Sequence, residues 1–514
     1  MSIMARRLFT LLLALVSVAA LALAAQTRPG GTPHRQLLVI FDGLRPDYVT
    51  PGVMPNLYAL GQRGVVFANH HSVFPTVTRV NASSFSTGSY PERHGLLGNT
   101  VFFPQVDASR FLDTSDRENL VKIDAATGQH LLTNATLGET LQAAGKKMMV
   151  VSAGSTGSAL LLNHKLSGGA VFHYEHEALS TPGQSLAAAI PPPAKTAGSD
   201  VLNHWAVDTF LKGMTTIEPA VAVLWLTDPD TTAHEKGIGD PATVECLRKA
   251  DAEFKRALDG LAAAGRLDDF NVIVTSDHGF TTHTGGAPIA DLLKPYARAM
   301  PDGSPRVLTG GDGAIYVRDH NDADIRAIVA ALQKTRGAGA IFTAGAPGGG
   351  LFTGRVPGTL SFDLIRWKHE RSADIIVSPD WTDDANAHGF KGTVSAGGVA
   401  GHGSTSRYDV HNILIAAGPD LRRGATIVAP SANVDIAPTL LTLAGVPVPA
   451  SMQGRVLREA TTSGPVPASI NVRTEQQTVK TADGSYSATA SISSIETAAG
   501  RFWYFDWARA TRAN

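Results

Sequence analysis

Residues 36–41 read QLLVIF, and Asp42 follows them directly. A short, continuous apolar run of this kind is typical of a strand that is buried on both faces of a parallel sheet. Two later stretches have the same character, PAVAVLWL at Pro219–Leu226 and NVIVT at Asn271–Thr275. Amphipathic helical patterns flank the first of these later stretches. The alternation predicts an α/β fold with a mostly parallel sheet sandwiched by helices.

Length and composition limit the possible classes of protein. With 514 residues, the chain can form one large α/β domain with insertions or two to three smaller domains. Its 44 basic and 45 acidic residues provide no electrostatic footprint for nucleic acid, and no block of like charge indicates an interaction tail. The single cysteine, Cys246, excludes an intramolecular disulfide, and its helical surroundings predict a buried or inert thiol rather than a catalytic one.

The N-terminus has the layout of a cleavable export signal. Arg6 and Arg7 precede an apolar run from Leu8 to Ala24, which ends in small residues before the polar Gln26. This pattern predicts a signal peptide at residues 1–25 and a periplasmic or secreted protein without a stable membrane anchor after cleavage. An uncleaved anchor helix is the alternative, although the run is short for a membrane span. The pattern leaves open whether export is of the general or the twin-arginine type.

Changes in composition predict the domain boundaries. The main domain is expected at 34–458, and the pattern of strands and helices loosens between about 285 and 396, which indicates a smaller inserted lobe. Beyond about Glu459 the chain is rich in Ser, Thr, Val and Ala, and we expect a short C-terminal β extension at 459–514. The stretch Gly168–Pro193 is rich in Gly, Ala, Pro and Ser and is predicted to be a surface loop.

Acidic residues and histidines follow the predicted strands. In an open α/β sheet, the carboxyl ends of the strands form one edge, where ligands bind. Carboxylate and imidazole groups are ligands of zinc, and six of them exceed what one tetrahedral ion takes. Two metal ions are therefore the natural number for the six residues at these positions: Asp42, Asp230, His234, Asp277, His278 and His402.

The stretch Phe74–Asn99 contains the candidate nucleophile, Thr78, just ahead of a segment with helical composition. The unpaired N–H groups at a helix start favour negative charge and bind phosphate. A threonine at this position is more often an N-cap. However, two ions about 3.5 to 4 Å apart suit in-line displacement at phosphorus, and such a site needs a nucleophilic hydroxyl. A neighbouring zinc would lower the pKa of the Thr78 hydroxyl.

Five motifs together resemble the alkaline phosphatase superfamily, and within it the type I phosphodiesterase/nucleotide pyrophosphatase branch. They are PTVTRVN at 75–81, STGSYPERHGLLGN at 86–99, DPDTTAH at 228–234, SDHG at 276–279 and GHG at 401–403. The resemblance implies an alkaline phosphatase-like fold, with Thr78 as nucleophile and Asn99 as donor to a non-bridging phosphate oxygen. It also implies two zinc ions, the first bound by Asp230, His234 and His402 and the second by Asp42, Thr78, Asp277 and His278.

The same resemblance implies hydrolysis of a small-molecule phosphate ester in two steps, through a phosphothreonine. Phosphodiester or nucleotide pyrophosphate bonds are the expected targets. Arg79 departs from the nucleotide-cleaving pattern, which often has an aromatic residue after the nucleophile. Arg79 could bind a second charged group of the substrate or the extra charge of a monoester, or it could point to solvent. Between residues 155 and 200, only Lys165 and Lys195 are basic. The Lys–Arg pair of related monoesterases is therefore missing, which favours a diester.

Four other functions remain open. Phosphate monoesterase activity is the main alternative, and phosphonoacetate hydrolysis uses the same metals with a threonine. A sulfatase needs a Cys or Ser convertible to formylglycine, and position 78 is a threonine. A binding protein with an inactive site is disfavoured because every ligand position is filled. His70 and His71, ahead of the nucleophile, are expected to be packed or solvated rather than ligands.

Overall fold

The computed structural model describes residues 33–513, apart from 167–168, 174–180, 288, 297–298 and 302. The predicted signal peptide at 1–25 lies outside these residues. Within the described ranges, no helix has both the length and the apolar character needed to cross a membrane.

An eight-stranded sheet forms the centre of the main domain. All pairs are parallel except those made by Leu414–Ala417, which runs antiparallel to both of its neighbours. The prediction of a mostly parallel sheet is confirmed. In spatial order the strands are Ala425–Ile427, Val65–Phe67, Leu414–Ala417, Phe270–Thr275, Arg35–Phe41, Val221–Leu226, Met148–Ser152 and Ala170–His173.

Alternate side chains of the central strand Arg35–Phe41 pack on opposite faces of the sheet. Leu37, Val39 and Phe41 belong to one hydrophobic cluster, whereas Leu38 and Ile40 belong to a second. This two-sided burial explains the continuous apolar run in the sequence. The first face is covered by the helices Pro55–Arg63, Ser199–Thr216 and Pro241–Ala263, and the second by Thr78–Thr87, Arg117–Ala126, Leu137–Ala143, Thr156–Leu162 and Ile436–Leu443.

The expectation of a surface loop at Gly168–Pro193 is wrong. Ala170–His173 is the edge strand of the central sheet, in parallel register with Met148–Ser152, and Thr181–Ala189 is a helix. The strand is only four residues long, and it is formed by pairing with residues 21 positions earlier in the chain. Such a contact outweighs the weak local preference of a stretch rich in small residues.

A second sheet of five strands lies within the region where the sequence predicted an inserted lobe. The helix Asp322–Lys334 packs on it through Ile325, Ile328 and Leu332. A four-stranded sheet joins this region to the main domain, because Lys391–Val394 pairs with Thr281–His283, which pairs in turn with Ala400–Gly401. The five strands, in spatial order, are Val307–Thr309, Ala314–Val317, Ile375–Pro379, Ala338–Thr343 and Leu360–Ser361, and the remaining strand of the four-stranded sheet is Trp381–Ala385.

The C-terminal region forms a three-stranded antiparallel sheet. Its strands are Val472–Lys480, Tyr486–Thr497 and Gly500–Arg512. Ala508 exchanges hydrogen bonds with Thr405, three residues after His402: the Ala508 N–H donates to the Thr405 carbonyl, and the Thr405 hydroxyl donates to the Ala508 carbonyl. The extension therefore holds the loop that carries His402.

The remaining elements are short. Two small sheets pair His70–His71 with both His411–Asn412 and Ser431–Ala432, and Thr100–Val101 with Leu112–Asp113. Short α-helices and 3-10 turns lie between the strands. They are Pro46–Tyr48, Pro91–His94, Asp230–Lys236, Leu267–Asp269, Ile289–Leu293, Lys294–Tyr296, Arg318–His320, Arg407–Val410, Asn433–Asp435, Arg458–Ala460 and Pro467–Ser469.

Candidate functional site

Three parallel strands bring the predicted aspartates to one edge of the sheet. Arg35–Phe41 lies between Val221–Leu226 and Phe270–Thr275 and runs parallel to both. Asp42 and Asp277 therefore emerge side by side, and the Gly43 N–H donates to Oδ1 of Asp277 at 3.0 Å. All six predicted metal-type residues and Thr78 lie in one contiguous site at this edge.

One group of possible ligands comprises Asp230, His234 and His402. The helix Asp230–Lys236 places Asp230 and His234 one turn apart, so that Oδ1 of Asp230 lies 3.3 Å from Nε2 of His234. Nε2 of His402 approaches the same oxygen to 3.5 Å. The ligand atoms of these three residues all lie within 4.8 Å of one another, which is close enough to share one ion.

A second group surrounds His278, which is fully buried. Its Nε2 lies 3.1 Å from Oδ2 of Asp277, 3.7 Å from Oδ1 of Asp42 and 3.3 Å from the hydroxyl of Thr78. The ligand atoms of Asp42, Asp230 and His278 also lie within 4.8 Å of one another. Asp230 thus lies between the two groups, and the ring of His278 stacks on that of His402 with 3.5 Å between centroids.

The three histidines share one orientation. In each, Nδ1 donates a hydrogen bond to a backbone carbonyl, that of Ala400 for His234, of Gly279 for His278 and of Thr76 for His402. In a neutral ring this leaves the lone pair on Nε2, which faces the carboxylates. Ligand histidines in metal sites are commonly held in this way, by a carbonyl on the second nitrogen.

Each of the three aspartates has one buried oxygen without a hydrogen bond: Oδ1 of Asp42, Oδ1 of Asp230 and Oδ2 of Asp277. All three lie within 3.7 Å of a histidine Nε2. Carboxylate oxygens and imidazole lone pairs that converge without a hydrogen between them repel each other, and a buried acceptor without a partner is costly. A divalent cation removes both penalties, so this donor set fits metal ions of the zinc type.

The electrostatics of the carboxylates support the same conclusion. Burial and the charges of Asp277 and Asp230 raise the pKa of Asp42 well above its ordinary value. Burial also opposes ionisation of Asp230, but the nearby rings of His234, His402 and His278 lower its pKa overall. Burial and the proximity of His278 lower the pKa of His402 well below its ordinary value, which favours the neutral ligand form. Burial lowers the pKa values of His234 and His278, but Asp230 raises that of His234 and Asp277 raises that of His278, so that both are raised overall. The site therefore concentrates carboxylate charge around its imidazole rings.

Thr78 is the first residue of the helix Thr78–Thr87, and its side chain does not cap that helix. The N-cap is Val77, which has extended backbone angles and provides no side-chain hydrogen bond. The hydroxyl of Thr78 instead points to Nε2 of His278 at 3.3 Å. The alternative interpretation of Thr78 as an N-cap residue is therefore wrong.

Asn99 lies beside Thr78 in a defined orientation. Its Oδ1 accepts a hydrogen bond from the backbone N–H of Arg79 at 3.0 Å. The amide nitrogen of Asn99 therefore remains a donor. The following residue, Thr100, donates its backbone N–H to Oδ2 of Asp312, a residue from the five-stranded sheet region, at 3.0 Å. This region thus supports the turn that carries Asn99.

Arg79 is half-buried next to Thr78. Within the described part of the chain, its guanidinium forms neither a hydrogen bond nor an ion pair, and its Nε is buried without a partner. Arg79 interacts electrostatically with Asp312: burial raises the pKa of that carboxyl, and Arg79 is one of the groups that partly offset the rise. A cation without a direct partner is therefore available beside Thr78.

Two residues support the site in ways that the sequence did not reveal. Trp225 donates its indole N–H to Oδ2 of Asp42 at 2.9 Å, and the only signal was its position at the end of a buried strand. Gly279 was expected to provide an irregular backbone. It is required instead for close packing, because a Cβ atom there would lie 2.0 Å from the carbonyl oxygen of Tyr408.

Comparison with known proteins identifies the family. Residues 36–388 match the family of type I phosphodiesterases/nucleotide pyrophosphatases, a region that includes every predicted site residue except His402. Bis(5'-adenosyl)-triphosphatase ENPP4 of Pongo abelii is 27% identical over 259 residues, which are 48% of each chain. Ectonucleotide pyrophosphatase/phosphodiesterase family member 7 of Rattus norvegicus is 25% identical over 48% of this chain and 50% of its own. The aligned part spans about half the length of each relative.

Solved structures show the same fold. Human ectonucleotide pyrophosphatase/phosphodiesterase 5 superimposes with a TM-score of 0.60 at 19% identity, covering 84% of this chain and all of that one. The murine protein, in an inactive threonine-to-alanine variant complexed with AMP, gives a TM-score of 0.56 at 18% identity over 81% of this chain and 96% of its own. The chain belongs to the type I phosphodiesterase/nucleotide pyrophosphatase family, within the alkaline phosphatase superfamily.

Proposed function

We propose that this protein hydrolyses phosphodiester or nucleotide pyrophosphate bonds through a covalent phosphothreonine on Thr78. The observation that supports this most strongly is the position of the Thr78 hydroxyl. Thr78 is the first residue of a helix, and its hydroxyl does not cap that helix. The hydroxyl lies 3.3 Å from a buried histidine that is surrounded by carboxylate oxygens without partners. Membership of the family supports the reaction class.

Two zinc ions per chain fit the donor set. Asp230, His234 and His402 would hold the first, and Asp42, Asp277, His278 and Thr78 the second. When bound, the ions would lower the pKa of the nucleophilic hydroxyl and offset negative charge on the leaving oxygen. Because Asp230 belongs to both groups of possible ligands, its loss should affect both ions.

The proposed reaction consists of two successive displacements at phosphorus. The oxygen of Thr78 loses its proton and forms a bond to phosphorus while the opposite P–O bond breaks, and the leaving group departs. Water then attacks the phosphothreonine from the side that the leaving group vacated and releases Thr78. Two inversions give overall retention of configuration. The Asn99 amide nitrogen, held in place by the N–H of Arg79, donates to a non-bridging oxygen as charge develops.

The surroundings of the site favour a diester over a monoester. Related monoesterases use a Lys–Arg pair for the dianion, and Lys165 is engaged elsewhere. Its ammonium group donates to the carbonyl of Gln129 at 2.8 Å and pairs with Asp124 at 3.7 Å. The relatives named for bis(5'-adenosyl) triphosphate cleavage and the AMP complex of a related structure support a nucleotide-derived substrate. The N-terminal signal pattern supports action in the periplasm or outside the cell.

Substrate class is tested by comparing bis(p-nitrophenyl) phosphate, p-nitrophenyl phosphate and p-nitrophenyl sulfate under zinc-saturated conditions. We expect the diester to have the highest kcat/KM and the sulfate ester to show no turnover. Faster cleavage of the monoester would instead identify a phosphatase. Preferential cleavage of the sulfate would contradict phosphoryl transfer altogether.

The nucleophile is tested by acid quenching during turnover, followed by peptide mass spectrometry. A phosphate group on Thr78 is expected in the wild type and should be absent in Thr78→Ala, whose kcat should fall by at least about 10³-fold. Thr442→Ala, in the last turn of the helix Ile436–Leu443, removes another helical hydroxyl and is the matched control. Turnover by Thr78→Ala at the wild-type rate would exclude Thr78 as nucleophile.

A further inference from the structure

A second cluster of metal-type side chains lies where the C-terminal sheet meets the main domain. His71 and His411 face each other directly across two antiparallel strands, with 4.5 Å between ring centroids. Asp506 reaches them from the last strand of the chain. The ligand atoms of the three residues lie within 4.8 Å of one another, as in the two groups at the candidate active site. None of the three belongs to that site.

The hydrogen bonds of His71 match those of the active-site histidines. Its Nδ1 donates to the backbone carbonyl of Ser431 at 2.9 Å, so that Nε2 of a neutral ring bears the lone pair. This nitrogen faces Oδ1 of Asp506 at 2.9 Å. Two lone pairs at this distance repel, so either a second proton on His71 or a metal ion must lie between them. The sequence predicted that His71 is packed or solvated. Packing accounts for the burial of His71 but not for the position of its Nε2 opposite the Asp506 carboxylate.

The surroundings of Asp506 and His411 leave both side chains able to bind a metal ion. The second oxygen of Asp506 accepts hydrogen bonds from the hydroxyls of Ser491 and Ser493, both at 3.0 Å, which orients the carboxylate. Such support of a carboxylate and of the second histidine nitrogen is typical around bound metals. Within the described residues, the ring of His411 makes no hydrogen bond, so its nitrogens are available.

Burial and access also fit a metal site. His71 and Asp506 are 1% and 6% exposed, whereas His411 is half-buried. His411 lines a cavity of about 290 Å³, through which an ion can reach the cluster. Two imidazoles and one carboxylate, with a fourth position left for water, form a common ligand set for zinc.

We propose that His71, His411 and Asp506 bind a third divalent metal ion, best matched by zinc, that links the C-terminal sheet to the main domain. The ion takes the place of a proton on Nε2 of His71. Because it binds only when the strand containing Asp506 is docked, it stabilises that docking by mass action. The same sheet holds the loop after His402, so the ion supports the active site from outside it.

The direct test is anomalous diffraction at the zinc absorption edge, on crystals of the full chain grown with zinc. We expect a peak bounded by His71, His411 and Asp506, in addition to the peaks at Asp42 and Asp230. Density for these side chains without an anomalous peak would mean that a protonated His71 makes a simple ion pair with Asp506, and would overturn the proposal.

Zinc content in solution provides a second test that needs no crystals. After equilibration with zinc and removal of free metal, His411→Ala should contain one ion fewer than the wild type, and the exposed His388→Ala should be unchanged. Asp230→Asn should lose zinc from the active site but retain the third ion, which separates failure of this proposal from failure of the proposed function. Equal zinc content in His411→Ala and the wild type would contradict the third site.

A third test measures whether added zinc raises the Tm. A histidine with a purely structural role would not make the Tm depend on zinc. Added zinc should raise the Tm of Asp230→Asn, in which the third site is intact, and should not raise that of the double variant Asp230→Asn/His411→Ala. An equal rise in both proteins would also contradict binding at this cluster.

Discussion

The side-chain oxygen of Asn99 accepts a hydrogen bond from the backbone N–H of Arg79, the residue that follows the proposed nucleophile Thr78, at 3.0 Å. This bond determines the polarity of the amide, because the oxygen is engaged and the nitrogen remains to donate. It also occupies one of the free N–H groups at the helix start. In the proposed mechanism, the helix would therefore assist phosphate binding partly by orienting Asn99.

Asn99→Asp should separate these two functions of the side chain. The carboxylate can still accept from the N–H of Arg79, but it replaces the donor that faces phosphate with a negative charge. We expect kcat/KM for bis(p-nitrophenyl) phosphate to fall by about 10²- to 10³-fold, with zinc content unchanged. Asn119→Asp, in a surface helix, is the control. Near-normal activity of Asn99→Asp would rule out a donor role.

Trp225→Phe should weaken metal binding without changing the ligands. The substitution removes the indole N–H that donates to Oδ2 of Asp42 at 2.9 Å. Loss of such a supporting bond lowers metal affinity by about 10- to 100-fold, which a competition titration with a zinc chelator can measure. Trp503→Phe is the matched control, because the buried indole N–H of Trp503 has no hydrogen-bond partner. Equal affinities in both variants would show that the bond to Asp42 is unimportant.

Arg79→Gln tests how the site recognises a second charge. If the unpaired guanidinium binds an additional negative group, the variant should lose about 10- to 100-fold in kcat/KM with p-nitrophenyl phosphate or a nucleotide substrate. Cleavage of bis(p-nitrophenyl) phosphate, which has a single charge, should change much less. An equal change for all substrates would indicate that Arg79 points to solvent or acts only through its backbone.

Asp409 should make stability depend on pH. Burial raises the pKa of this carboxyl from 3.8 to about 6, although Ser404 donates two hydrogen bonds to it. The folded state therefore binds the proton more tightly than the unfolded state, and the wild type loses stability as pH rises from about 4 to about 6. The difference between the folded and unfolded pKa values of Asp409 corresponds to a loss of about 3 kcal/mol in unfolding free energy.

Asp409→Asn cannot ionise and should lack this dependence. We expect the unfolding free energy of the wild type, relative to the variant, to fall as pH rises through that window. Urea denaturation of both proteins with metal removed would measure it, with the exposed Asp259→Asn as control. A constant difference across the window would contradict the raised pKa.

Local sequence patterns were sufficient for much of the fold and part of the site. Continuous apolar runs predicted the central strands, because burial on both faces demands them, and Asp42 and Asp277 followed from their positions at strand ends. The four-residue spacing of Asp230 and His234 is a property of one helical turn. By contrast, the strand Ala170–His173 was missed because only its pairing with Met148–Ser152 makes it a strand.

The sequence by itself determined which chemical groups are present and which strands end at the site, since both depend on side-chain type and short-range periodicity. Only the tertiary structure decided how those groups face one another. His402 reaches Asp230 because Ala400–Gly401 pairs with Thr281–His283, and Asp506 reaches His71 because the last strand docks on the main domain. Such contacts join residues more than a hundred positions apart, and no local pattern specifies them.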